Sequence, residues 1–152
     1  MMIWKKGNIW IYWRLGNIIV IPTNAGWKSD GDNVMGAGLA KQASRELLEL
    51  PAIYGVRCRK GDPYFFYKDQ RMICVPSKPL NREAPWLSWK GNATREQVDS
   101  SLAWLRDNAD EFDRLVYVPL IGCGNGGLDP TIIKPLMEQY LGNNDKFIGV
   151  EE

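Results

Sequence analysis

Residues 119–129 read Pro119-Leu120-Ile121-Gly122-Cys123-Gly124-Asn125-Gly126-Gly127-Leu128-Asp129. Four glycines stand within six residues, directly after an apolar run, Leu115 to Val118, that reads as a buried strand. Asp129-Pro130 follows, an N-cap with proline at the first helical position, and predicts a final helix to about Leu141. Ordering a glycine costs backbone entropy, so packing alone is a poor reason for four of them. Unusual backbone angles or a close approach to a ligand is expected. A glycine loop between strand and helix lies at the carboxyl end of a strand, where α/β sheets bind ligands.

The same order occurs upstream. Asn17 to Thr23 (NIIVIPT) is a continuous apolar, β-branched run, as for a strand buried on both faces. A polar loop, Asn24 to Asn33, leads to Val34-Met35-Gly36-Ala37-Gly38-Leu39-Ala40. Leu39 to Leu50 then has Leu39, Ala40, Ala43, Leu47 and Leu50 on one face and predicts a helix. The loop is not a P-loop, since Gly-Lys-Ser/Thr is missing, nor a full dinucleotide fingerprint, since Lys41 occupies the third glycine position. Alone it reads as a phosphate cradle or as a plain turn. Two such loops suit a ligand with two phosphates.

The rest of the chain continues the alternation. Met1 to Trp4 and Ile9 to Trp13 look like short strands about a turn at Gly7-Asn8, and Tyr64 to Tyr67 and Met72 to Val75 like paired strands. Pro76 to Asn92, with its prolines, predicts a long loop. Thr94-x-x-Gln97 is a capping box opening a helix with Val98, Leu102 and Leu105 on one face, and Lys146 to Val150 predicts a last strand. Pro135 within the final helix is a mild conflict, read as a kink or a shifted start. Residues 1–152 form one expected domain, an α/β fold with a mixed sheet covered on both faces.

Composition narrows the chemistry. The net charge of +1 supplies no large field toward nucleic acid or acidic membrane. Met1 to Lys6 runs into polar sequence without an apolar h-region, so no signal peptide is expected, and Ile18 to Pro22 is too short to span a bilayer. Cys58, Cys74 and Cys123 are odd in number and widely spaced, which favours a reduced, cytoplasmic setting over a disulfide framework or zinc knuckle. The chain has no histidine, which excludes Ser-His and Cys-His dyads and HExxH metal sites. Without ligand clusters no metal is implied. Seven Trp and six Tyr are many for this length; most fall in apolar runs and are read as packing, the alternative being base stacking on an exposed ring.

Together the loops resemble the two phosphate-binding loops of macro domains, an ADP-ribose-binding family built as a three-layer α/β/α sandwich with a mixed central sheet. GAGLA with P-L-I-G-C-G-N-G-G-L-D is more narrowly similar to the branch of terminal ADP-ribose protein glycohydrolase and the DNA ADP-ribosyl hydrolase antitoxins. Gly7-Asn8-Ile9 stands where the family carries Gly-Asp-Ile, whose acid accepts from the adenine amino group; the Asn8 amide oxygen can still accept it, without charge. Asn24 aligns with the last Asn of the family's Asn-Ala-Ala-Asn, a contact to the distal ribose. Val75-Pro76-Ser77-Lys78 resembles Phe-Pro-Thr-Lys, whose lysine is catalytic.

The resemblance therefore implies Lys78 and Asn24 as catalytic. It implies ADP-ribose contacts from Asn8, Ile9, Asn24, Met35, Gly36, Ala37, Gly38, Leu39 and Pro119 to Leu128. An Asp of the protein-directed enzyme, two residues after its Gly-Cys-Gly, is Gly126 here, so that role is not carried over. Asp129 reads first as an N-cap and Cys123 as a small buried loop residue. Asn125 reads as a phosphate contact or as a left-handed turn residue. Trp86, Trp89, Lys90 and Arg95 either grip the modified macromolecule or pin the long loop to the body.

The implied function is a metal-independent mono-ADP-ribosyl hydrolase without cofactor, acting on an ester-type linkage or on a nucleic-acid base. A non-catalytic ADP-ribose reader and an ADP-ribose 1''-phosphate phosphatase are the alternatives. Expected partners are ADP-ribose or an ADP-ribosylated macromolecule, nucleic acid included, with no membrane and a monomeric state.

Overall fold

The computed structural model describes residues 1–152. Its centre is β2, Ile18–Asn24, in which Ile18, Ile19, Val20 and Ile21 are all 0% exposed. Ile18 and Val20 point into one apolar cluster and Ile19 and Ile21 into another, which requires a covering layer on each side.

Around it stand β1 (Ile3–Lys6), β3 (Phe65–Tyr67), β4 (Met72–Lys78), β5 (Val116–Pro119) and β6 (Phe147–Glu151). The helices are α1 (Ile9–Arg14), α2 (Gly38–Glu46), α3 (Leu50–Arg59), α4 (Arg95–Asp107) and α5 (Pro130–Leu141). The six strands run in the order β1-β6-β5-β2-β4-β3, parallel except for the antiparallel β3–β4 pair. One face is packed by α4 and α5 through Val98, Leu102, Ile133 and Met137, the other by α1, α2 and α3 through Trp10, Ala43, Leu50 and Tyr54. This is the three-layer α/β/α sandwich with a mixed sheet. No helix is long and apolar enough to cross a membrane.

Caps hold the helices where local chemistry predicts. The Thr94 side chain accepts from the Gln97 N–H at 3.1 Å and the Asp129 carboxylate from the Thr131 N–H at 2.9 Å. Pro135 lies inside α5 on its exposed side without ending it.

Three expectations need correction. Ile9 to Trp13 is not a strand but the body of α1: the Asn8 side chain caps it by accepting from Trp10 N–H at 3.0 Å, and Ile9 and Trp10 turn inward while Ile11 stays exposed. Leu39 to Leu50 is not one helix, since α2 ends at Glu46 and Leu47 is extended. The chain then restarts as α3, a helix hidden in the sequence by Pro51 and Gly55. Gly55 is obligatory there because a side chain would run into the Gly31 carbonyl. Pro76 to Asn92 is not an open loop either: β4 runs on to Lys78, and Pro85–Lys90 forms a 3-10 turn.

Candidate functional site

The carboxyl ends of β2, β4 and β5 open on one edge of the sandwich, and three loops meet there. The β2–β4 pairing decides what faces what. Thr23 stands opposite Pro76, but the register then slips by one residue, so Asn24 stands opposite Lys78 instead of Ser77. The two residues assigned to the distal sugar are thereby neighbours.

Lys78 is half-buried, and its Nζ donates to the Trp89 carbonyl at 2.7 Å. No carboxylate pairs with it, and partial burial holds its pKa below the ordinary lysine value, because the ammonium loses solvation. Asn24, 6% exposed, is committed to its own loop: Nδ2 donates to the Val34 carbonyl at 2.8 Å and Oδ1 accepts from Gly26 N–H at 3.0 Å. Its second amide proton has no partner of its own in the chain. The loop's other buried node is Asn33, whose Nδ2 lies 2.8 Å from the Asn24 carbonyl and 2.9 Å from that of Gly26. The sequence reading missed Asn33, since its partners are main-chain atoms brought up only by the fold.

The first glycine loop carries its donors free. The backbone N–H groups of Gly36, Ala37, Gly38, Leu39 and Ala40 find no acceptor in the chain, and no acid occupies the first turn of α2. Together with the helix dipole they form a concave set of donors suited to an anion. Met35 is buried, so its side chain serves the core and only its backbone reaches this surface.

The second loop leaves the N–H groups of Ile121, Gly122, Gly124 and Asn125 equally unpartnered. Its glycines divide by cause: Gly122, Gly124 and Gly127 take φ of +85°, +68° and +81°, the unusual backbone angles expected of them, while packing adds a second reason at Gly122 and is the reason at Gly126. A side chain at Gly126 would press on Ala93 Cβ at 2.8 Å, and one at Gly122 on Leu128 Cδ1 at 2.7 Å and Val98 Cγ2 at 3.0 Å, so both seat the loop against the start of α4. Gly124, with φ +68° and open space around it, and Gly127, with φ +81° and nothing nearer than 3.8 Å, are free at the surface. Asn125 is not left-handed; it lies in a 3-10 turn, and a Cβ on Gly38 would sit 3.2 Å from its Nδ2. The two glycine loops therefore face each other across the edge of the sheet.

The remaining candidates fall around this centre. Asn8 caps α1 through Oδ1, which keeps one lone pair outward; Ile9 is buried, with its N–H unpartnered. Gly7 N–H donates to the Glu151 carbonyl, which sets this corner beside the ends of β5 and β6, where a cleft of about 450 Å3 opens between Leu120, Lys134, Glu138 and Glu151. Cys123 is half-buried, not fully buried; burial first and Asp129 second push its thiol up to about 11. That is the wrong direction for a thiolate nucleophile. Asp129 acts as the N-cap, and its carboxyl is held down by the Thr131 N–H. Trp86 and Trp89 do not pin the 79–92 loop, being 53% and 43% exposed. Buried Ser88 does that, accepting from Asn81 N–H at 2.9 Å and packing against Gly26.

No family model matches the sequence. The chain is 28% identical over 126 residues to a DNA ADP-ribosyl transferase-DNA ADP-ribosyl glycohydrolase fusion protein of Thermosipho africanus, a match covering 71% of this chain and 32% of that protein. The chain thus spans about a third of the length of that curated relative. The macrodomain of Mycobacterium tuberculosis DarG superposes with a TM-score of 0.78 at 22% identity, covering 100% of this chain and 98% of the other. The macrodomain of Thermus aquaticus DarG gives 0.75 at 23% identity with the same coverage. Thermosipho africanus DarTG, solved in complex with ADP-ribose, gives 0.76 at 21% identity over 99% of this chain and 42% of that one. Six strands in the order β1-β6-β5-β2-β4-β3, two opposed glycine loops and these superpositions make one statement: the chain has the macrodomain fold.

Proposed function

We propose that this macrodomain binds ADP-ribose along the sheet edge and hydrolyses its bond to a modified macromolecule, with Lys78 at the bond that breaks. The observation that carries the reading is the Asn24–Lys78 juxtaposition at one end of two facing rows of unpartnered N–H groups. The diphosphate takes the loop donors, the adenine takes the Asn8 corner, and the distal ribose takes Asn24 and Lys78. The acceptor is a DNA base, in keeping with the name of the Thermosipho africanus relative.

In the overall reaction the bond between the anomeric carbon and the acceptor breaks, its electrons stay with the acceptor, and water supplies hydroxyl to the sugar and a proton to the acceptor. Lys78 suits the sugar side of this step. Desolvation favours its neutral amine, which can attack the anomeric carbon as the acceptor leaves with the bonding electrons and takes up a proton. Water then hydrolyses the C1–N linkage, returning the amine and leaving hydroxyl on the sugar, and the Trp89 carbonyl orients Nζ. Lys78→Ala is expected to lower turnover of ADP-ribosylated oligonucleotide by at least about a hundredfold, with ADP-ribose affinity by calorimetry held within about twofold. Full activity in that variant overturns the assignment.

A reader function is the second reading. It is favoured by the second loop lacking a carboxylate toward the ligand, as Gly126 has none and Asp129 is occupied as a cap. Heat of ADP-ribose binding without turnover of any ADP-ribosylated substrate selects it.

A further inference from the structure

The strongest feature outside the ADP-ribose crevice is a cleft of about 300 Å3 between the loop that follows β2 and the 3-10 turn Pro85–Lys90. Trp27 and Trp86 line it together with Lys28, Arg59 and Pro85. Two cations stand there against one carboxylate, Asp30, which reaches Lys28 at 3.7 Å, whereas Arg59 has no acidic partner and lies against Gly31. Trp86 is 53% exposed, a large apolar area to leave in water on a turn otherwise anchored by buried Ser88. Beyond it, Trp89 is also exposed, with Lys90 Nζ 5.5 Å from its ring centroid. The turn bearing both rings is the one whose Trp89 carbonyl holds Lys78. Aromatic wall and reactive amine are thus carried on one short segment.

Resting on the hydrolase reading above, we propose that this cleft holds the single-stranded DNA flanking the modified base. An unpaired base stacks on Trp86 against Trp27, and Arg59 and Lys28 meet the neighbouring phosphates. The volume accommodates one nucleotide. Aromatic faces beside cations in excess over carboxylates, here Arg59 and Lys28 against Asp30, are the chemistry of sequence-tolerant single-strand binding, which needs no large net charge on the whole chain. A duplex, with its bases stacked inside, presents nothing for the two rings.

The test uses the full chain with a fluorescein-labelled thymidine decamer, unmodified and carrying one ADP-ribosylated thymine, and with ADP-ribosylated thymidine alone. Trp86→Ala is expected to weaken decamer binding in fluorescence anisotropy, and to raise KM on the modified decamer, by about tenfold or more, the ordinary scale of one lost base stack. With that substrate kcat stays within about twofold, and the effect is confined to strand substrates. Trp86→Phe recovers most of the loss, and Arg59→Gln flattens the salt dependence of binding. Because anisotropy reads the unmodified strand, absence of all turnover counts against the hydrolase reading, while strand binding lost with Trp86 still supports the cleft. Unchanged decamer affinity and KM in Trp86→Ala overturn the proposal. So does an equal loss with ADP-ribosylated thymidine, or an ADP-ribosylated peptide that shows the same dependence on Trp86.

Discussion

Gly126→Ala isolates how the second loop is seated. The backbone of Gly126 is not in the left-handed region, so alanine meets no conformational penalty there, and the whole effect is steric. The added methyl would lie 2.8 Å from Ala93 Cβ, roughly 1 Å short of the about 3.5–4.0 Å at which carbons rest. Ala93 is buried and cannot swing aside, and its N–H holds the Gly126 carbonyl at 2.9 Å, so the loop must lift. Overpacking of this kind costs about 1–3 kcal/mol. At about 2–4 °C per kcal/mol for a domain of this size, a 2 kcal/mol loss lowers Tm by about 4–8 °C.

Lifting also draws Gly124 and Asn125 from Gly38 across the crevice. ADP-ribose affinity should fall about tenfold for each 1.4 kcal/mol of lost donor geometry. Ala93→Gly in the same chain removes the opposing methyl and should restore all but the about 0.5–1 kcal/mol that an extra glycine costs. Gly124→Ala is the contrasting case: its surroundings are open but φ is +68°, so its loss is backbone strain that Ala93→Gly does not repair. Thermal unfolding and calorimetric titration on these variants decide the matter. If Gly126→Ala melts within about 1 °C of the parent, or Ala93→Gly recovers less than half of the loss, the packing argument is wrong.

Lys78 and Tyr54 give two further expectations. Below its lowered pKa Lys78 is charged in folded and unfolded chains alike, and above the ordinary value of 10.5 it is neutral in both; between them the unfolded chain binds more proton. Stability from this position therefore rises with pH across that window, and denaturant titrations of Lys78→Met should lose the slope. If the amine is the attacking group, kcat/KM also rises with pH toward that pKa, and a falling limb instead assigns the work to the ammonium. Tyr54→Phe removes a buried hydroxyl shared with Thr23 Oγ1 at 2.7 Å and the Pro63 carbonyl at 2.7 Å. Leaving both unpaired should cost about 1–3 kcal/mol by urea unfolding, with Thr23→Val in addition recovering part of it; an additive double mutant contradicts the shared bond.

What could be read in advance was whatever local chemistry determines. The apolar β-branched run of β2, the Thr94 and Asp129 caps, and the strand–loop–helix order about residues 119–129 each carry their cause within a few neighbours. The misreadings share the opposite character. Ile9 to Trp13 has strand-forming residues throughout, and only the Asn8 cap, with Trp10 reaching Gln42 at 2.7 Å, makes it helical. Helix α3 carries a proline and a glycine that argue against a helix until Gly31 is seen lying on Gly55. At the site, the glycine loops and Lys78 were legible because short motifs hold them. Asn33 and the Trp27–Trp86 cleft were not, since the latter draws on residues 27–31, 59 and 85–86 and exists only after the chain has closed.

The slipped register between β2 and β4 has a consequence for how such a crevice could be re-equipped. Strand side chains alternate, so a ladder kept in step would set Ser77 opposite Asn24 and send Lys78 to the other face. The extra residue in β4 is therefore what sets an amine, in place of a hydroxyl, beside Asn24. Were the ladder to close up without the slip, every residue unchanged, the same strand would set a hydroxyl instead of an amine beside Asn24. The chemistry offered beside Asn24 is thus set by backbone register as much as by residue identity.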